Sequence, residues 1–150
     1  MMKSIFDETT YHELLERIAT IDESTGRQWG KMDAGQMFYH CQFPLSLALG
    51  KYQMKKPNLL MGLVMKSFKT SMYNDKPWKQ SLPTYKPFKV VDPKDVQIEK
   101  AKLIQLIHDF HQEKNRDIWK PHPAFGNLTP EQWGQMQYKH LDHHLRQFGA

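Results

Sequence analysis

The sequence predicts an all-α fold: a four-helix bundle with a long, partly helical connection between the second and third principal helices. Three observations carry this expectation. Four segments repeat apolar residues at the helical period, and each opens on a residue pattern that caps a helix. The stretch between the second and third, Lys51 to Val91, is instead punctuated by Pro57, Pro77, Pro83 and Pro87.

The first helix is expected from Thr10, whose spacing to Glu13 is that of a capping box. Tyr11, Leu14, Leu15, Ile18 and Ile21 then form one apolar stripe, and Gly26 lies beyond its end. The second is expected from Asp33, with Gln36 three residues on and Gly50 as its stop. Met37, His40, Cys41, Pro44, Leu47 and Ala48 share its inner arc. Pro44 cannot donate to the His40 carbonyl, so a kink is expected there.

The connection then holds a shorter fifth helix, Asn58 to Met72, with Leu59, Leu60, Leu63, Val64 and Phe68; the rest reads as irregular loop. The third principal helix is placed at Asp92-Pro93, an N-cap followed by proline at the first helical position. It presents Val96, Leu103, Ile107 and Phe110 on one face and runs to about Asn115. The fourth begins at Thr129-Pro130, with Gln132 completing a capping box, and continues almost to Gly149.

A chain of 150 residues fits one domain, residues 1–150, with 39% apolar and 25% charged residues, the balance of a folded globular protein. Cys41 is its one cysteine, which excludes an internal disulfide and fits a reducing compartment. The beginning, MMKSIFDETTYHELL, lacks an apolar signal-type core. The longest apolar run, Leu59 to Met65, is far short of the roughly 20 residues of a membrane span. A cytoplasmic protein is expected. Charge is uneven: Lys51 to Lys89 holds nine lysines against Asp75 alone. Such a block attracts phosphate, anionic lipid or an anionic small molecule, or is simply a solvated surface, the plainer reading.

The eight histidines pose the chemical question. At about 100° per residue, His140 and His144 stand about 40° apart on the face of the last helix that also carries Trp133, Leu141 and Phe148. His143 falls on the margin of that face, and Asp142, Lys139 and Arg146 fall opposite. On the second helix, His40 sits near the centre of the inner arc. Side chains four apart on a helix lie about 6 Å from one another, within reach of one metal at about 2.1 Å. A third histidine from a facing helix closes a tripod with coordination positions left open, the pattern of a catalytic rather than a structural site. Set against this, a lone inward histidine is more often a hydrogen-bonded core residue. Burying three without partners for their nitrogens is costly, however.

The segments WGKMDAGQMFYHCQFPL (Trp29 to Leu45) and HPAFGNLTPEQWGQMQYKHLDHHLRQFG (His122 to Gly149) resemble the DinB/YfiT-like superfamily, and within it a bacterial branch of unknown function. The resemblance implies a four-helix bundle in which His40, His140 and His144 ligate a divalent metal. Some relatives are transferases or isomerases that use low-molecular-weight thiols.

Other residues are weighed beside these. Cys41, about 100° round the helix from His40, reads as a small core residue rather than a nucleophile. His122 reads as a turn former, with a place at the pocket edge as the alternative. His111 is a weaker fourth ligand, and His108 and His12 are surface residues. Trp78, Tyr85 and Phe88 either stack on bases or, the favoured reading, fold onto the bundle.

The leading functional expectation is a metal-dependent transferase acting through a thiol such as glutathione or bacillithiol, with zinc, nickel or iron as the metal and a small, anionic substrate drawn to the lysines. No carboxylate stands where a general base would, which disfavours hydrolysis. The alternative is a non-catalytic binding protein using residues 51–89 for anionic ligands, lipid or nucleic acid, with nucleic acid the less favoured partner. A homodimer through exposed helix faces is left open.

Overall fold

The computed structural model describes residues 2–82 and 84–150; Pro83 of the connection lies outside the described residues. Among the described residues the fold is all-helical, with five α-helices: α1 (Glu8–Ala19), α2 (Ala34–Ala48), α3 (Leu59–Ser67), α4 (Val96–Gln112) and α5 (Pro130–Gln147). Short 3-10 turns occupy Lys69–Met72, Lys86–Phe88 and Glu113–Asn115. No strand occurs among the described residues.

Two capping boxes form as the sequence predicts. Asp33 and Gln36 exchange side-chain and backbone hydrogen bonds at the start of α2. Thr129 and Gln132 do the same at α5, with Pro130 at the first helical position. Gly50, with φ +75°, follows the end of α2, a left-handed conformation that other residues take only at a cost. Asn58 caps α3, and the 3-10 turn after it completes the predicted 58–72 segment. The α2 helix runs through Pro44, whose own carbonyl accepts from Gln137 Nε2 at 3.2 Å.

Two helix starts differ from the sequence reading. Asp7, not Thr10, is the N-cap of α1, and Thr10 is buried inside the helix. The Asp7 carboxylate is occupied by the Ser4 amide of the incoming chain, so it does not cap in the usual way. In α4 the cap is Asp95, whose carboxylate accepts from the Ile98 amide at 2.8 Å, rather than Asp92. Gln36 of α2 donates to the Val91 and Asp92 carbonyls, which holds that stretch outside the helix.

Helix α2 packs on α4 and α5, and α1 packs on the same two. Leu14 and Ile18 from α1, Phe38, Cys41 and Leu45 from α2, Leu103, Ile107 and Phe110 from α4, and Trp133, Leu141 and Leu145 from α5 fill the space between them. This arrangement turns the inner face of α2 toward the C-terminal half of α5, where the histidines lie.

The connection between α2 and α4 folds onto the bundle, as favoured for its aromatics. Phe88 stacks on Phe43 with ring centroids 5.0 Å apart. Trp78 places its ring edge-on to His140 at 6.0 Å, and its indole N–H donates to the Ser71 carbonyl. The same connection covers Lys139, on the side of the helix opposite the apolar face. Its ammonium is buried, donating to the Ser71 carbonyl and to both the carbonyl and side-chain oxygens of Asn74. A helical wheel cannot foresee a neighbour that arrives from a distant loop.

Candidate metal centre

The structure brings His40, His140 and His144 together. Ring centroids stand 5.1 Å apart for His40 and His140, 4.7 Å for His40 and His144, and 4.8 Å for His140 and His144. One ring nitrogen of each lies within 4.8 Å of the others. The Nε2 atoms of His40 and His140 are 3.1 Å apart. Two nitrogens bound at about 2.1 Å to one ion stand roughly 3.0–3.4 Å apart at octahedral or tetrahedral angles. The pair already has that spacing.

Partners on the far side of two rings decide which nitrogen faces the centre. His40 Nδ1 donates to the Phe88 carbonyl at 2.8 Å. A carbonyl only accepts, so in the neutral ring Nε2 keeps its lone pair for the centre. His144 Nδ1 donates to Gln147 Oε1 at 2.9 Å, with the same consequence. The Gln147 amide is itself oriented, because its Nε2 donates to the Trp29 carbonyl at 2.7 Å. Outer hydrogen bonds of this kind fix tautomer and ring orientation at metal sites. Gly30 makes room for the arrangement. A Cβ there would collide with Gln147 Nε2, and its φ of +85° disfavours any side chain.

Electrostatics keeps the rings neutral, the form that binds metal. Burial holds His40 below the ordinary histidine range. Burial, with the His144 and His40 rings adding to it, holds His140 well below that range. Burial, again the larger cause, takes His144 down to about 3. His140 Nδ1 is enclosed with no hydrogen-bond partner. Three neutral imidazoles crowded without a carboxylate among them are costly unless something satisfies their inner nitrogens. By its donor chemistry and spacing the group could hold a metal ion.

The neighbours have other tasks. His143 is not marginal but buried, between Trp29 at 6.0 Å and Trp78 at 5.6 Å, with an unpartnered Nδ1. Asp142 points away, as predicted, and pairs with Arg17 and Arg146. Cys41 is buried, and burial pushes its thiol far above the usual range, which fits a core residue. His111 is no fourth ligand: its Nδ1 meets the Ile5 carbonyl at 2.8 Å and its ring stacks on Tyr11. His12 and His108 are exposed.

His122 shapes the turn before α5. Its Nδ1 accepts from the Ala124 and Phe125 amides at 3.1 and 3.2 Å, which a protonated ring cannot do. Burial lowers its pKa from 6.5 to about 4. The unfolded chain therefore takes up this proton near its ordinary value while the folded ring does not. Stability is expected to be flat above about pH 6.5 and to fall between there and about 4, by roughly 3 kcal/mol from this group. Urea titrations across that interval check it: His122→Asn, which keeps an acceptor but no titrating ring, should show a shallower acid limb than the parent.

Fold and site together define an all-helical protein with a histidine group, buried at His40 and His144, that could hold a metal ion. The chain belongs to the family described as "Protein of unknown function (DUF1569)", whose model matches residues 4–150. Neither the curated proteins nor the solved structures contain a significant match to it.

Among the described residues no helix is long and apolar enough to cross a membrane. Sequence reasoning missed Gln147, Gly30 and the Phe88 carbonyl. Gln147 had a signal in its three-residue spacing from His144. A backbone carbonyl supplied by a loop has none.

Proposed function

We propose that His40, His140 and His144 bind one divalent metal ion, zinc, nickel or iron, in a single-domain DinB/YfiT-like four-helix bundle. We propose further that the protein is a metal-dependent transferase using a low-molecular-weight thiol. The observation that carries the metal reading is the pair of outward Nδ1 hydrogen bonds, His40 to Phe88 and His144 to Gln147, which leave both Nε2 lone pairs free for an ion.

When bound, the ion supplies Lewis acidity that favours the thiolate form of a thiol. The chain's own part is to hold the three rings in place and to exclude water. Trp78 and Trp29 flank the histidines, and Lys139 ties the residues around Ser71 and Asn74 to α5. In the reaction the thiol sulfur forms a bond to an electrophilic carbon. The leaving group departs with its electron pair, and the thiol proton goes to solvent. No carboxylate is needed as base, in keeping with the engagement of Asp142 by Arg17 and Arg146. The lysines of residues 51–89 attract an anionic thiol or its acceptor. A substrate would reach the histidines by displacing part of this covering connection.

The test is turnover by protein loaded with each metal, using glutathione and bacillithiol against a panel of alkyl and aryl electrophiles. The expected result is thiol consumption by the parent and none by the His140→Ala variant. Saturating metal with no turnover across the panel would count against the transferase reading while leaving the metal site standing.

A further inference from the structure

Ten large hydrophobic side chains stand exposed among the described residues, and six of them fall within ten consecutive positions: Leu59, Leu60, Met61, Leu63, Val64 and Phe68. Leu59 is 85% exposed, Leu60 75% and Leu63 59%, and α3 contributes no buried residue to the core. At about 100° per residue, Leu59, Leu63, Leu60 and Val64 share one arc, while Met65, partly buried against the core, points the other way. The helix therefore lies on the protein with its apolar side turned outward. A soluble surface does not need such a patch, which marks a docking face.

The charge around it selects the partner. Of the nine lysines between residues 51 and 89, only Lys51 has a carboxylate partner among the described residues. Lys55, Lys56 and Lys66, next to or within the helix, are exposed. A second copy would bring a like-charged block against this one. A nucleic acid would satisfy the lysines but leave six apolar side chains in water. An anionic bilayer surface meets both demands, with apolar residues entering the headgroup boundary and ammonium groups remaining at the phosphates.

We propose that α3 is an interfacial helix that docks the protein on anionic membrane surfaces. Leu59, Leu60, Leu63 and Val64 insert, while Lys55, Lys56 and Lys66 select for negative charge. The proposal is independent of the metal reading, because none of these residues touches the histidines.

The test is co-sedimentation of the full-length protein with vesicles of phosphatidylcholine alone and of phosphatidylcholine mixed with phosphatidylglycerol. Binding to the mixed vesicles is expected to exceed binding to the neutral ones at least about tenfold and to weaken as salt rises. A Leu60→Glu, Val64→Glu variant should lose at least about tenfold in partitioning. Both positions are exposed, so circular dichroism should be unchanged. A Lys55→Gln, Lys56→Gln, Lys66→Gln variant should lose the preference for the mixed vesicles. No binding to mixed vesicles at low salt would overturn the proposal, as would equal binding by the Leu60→Glu, Val64→Glu variant. Dimerisation seen by analytical ultracentrifugation and abolished by that variant would assign the face to a second copy instead.

Discussion

Replacing His140 by alanine is expected to abolish stoichiometric metal binding and to leave the helical fold intact. Loss of an outer hydrogen-bonding partner at a metal site costs roughly 10–100-fold in affinity, so loss of a ligand should exceed a hundredfold. His140 is the ring for which this separates cleanly from stability. Its Nδ1 is buried without a partner, and the one group within hydrogen-bond distance of its Nε2 is His40 Nε2. Alanine leaves no other group of the protein stranded except that nitrogen of His40. The comparison with Gln147→Leu is informative. That change removes the acceptor that aims His144 and frees the Trp29 carbonyl, so affinity should fall by the outer-shell amount only. Competition with a chromophoric zinc chelator measures both, and circular dichroism reports the fold. Equal affinities in the parent and His140→Ala would show that His140 is no ligand.

The largest expected loss of stability is at Trp133. This indole is buried at the start of α5, 5.7 Å from Trp119 and 5.6 Å from His122 between ring centroids. Truncation to alanine removes the full apolar contact and leaves a cavity that helices held by other contacts close only in part. The cost should be about 3–5 kcal/mol, a large share of the roughly 5–15 kcal/mol of an ordinary domain. Trp133→Phe should cost far less. It keeps most of the ring and deletes an indole N–H that is buried with no acceptor. Chemical denaturation of the two variants beside the parent measures the difference. An alanine variant within about 1 kcal/mol of the parent would mean that this end of the bundle repacks freely.

What was legible in the sequence was local. The capping boxes at Asp33 and Thr129 operate between residues three apart, so the spacing alone places both helix starts. The inward direction of His40, His140 and His144 followed from helical periodicity, because the same faces carry Met37, Cys41, Trp133 and Leu141 into the core. The starts of α1 and α4 were misplaced where a tertiary contact competed. Ser4 takes the Asp7 carboxylate, and Gln36 takes the carbonyls of Val91 and Asp92. The burial of Lys139 and His143 was hidden for the same reason: Asn74 and Trp78 reach them from a loop more than sixty positions away in the sequence. The second partner of His40 is the main chain at Phe88, and no side-chain pattern encodes it.

Metal binding by the three histidines is measured most directly as metal content by plasma mass spectrometry on tag-free protein, beside the His140→Ala, His144→Ala double variant. Close to one equivalent of a divalent metal is expected in the parent and little in the variant. A parent that takes up none, even after incubation with zinc or nickel, would contradict metal binding there and return the three histidines to the core.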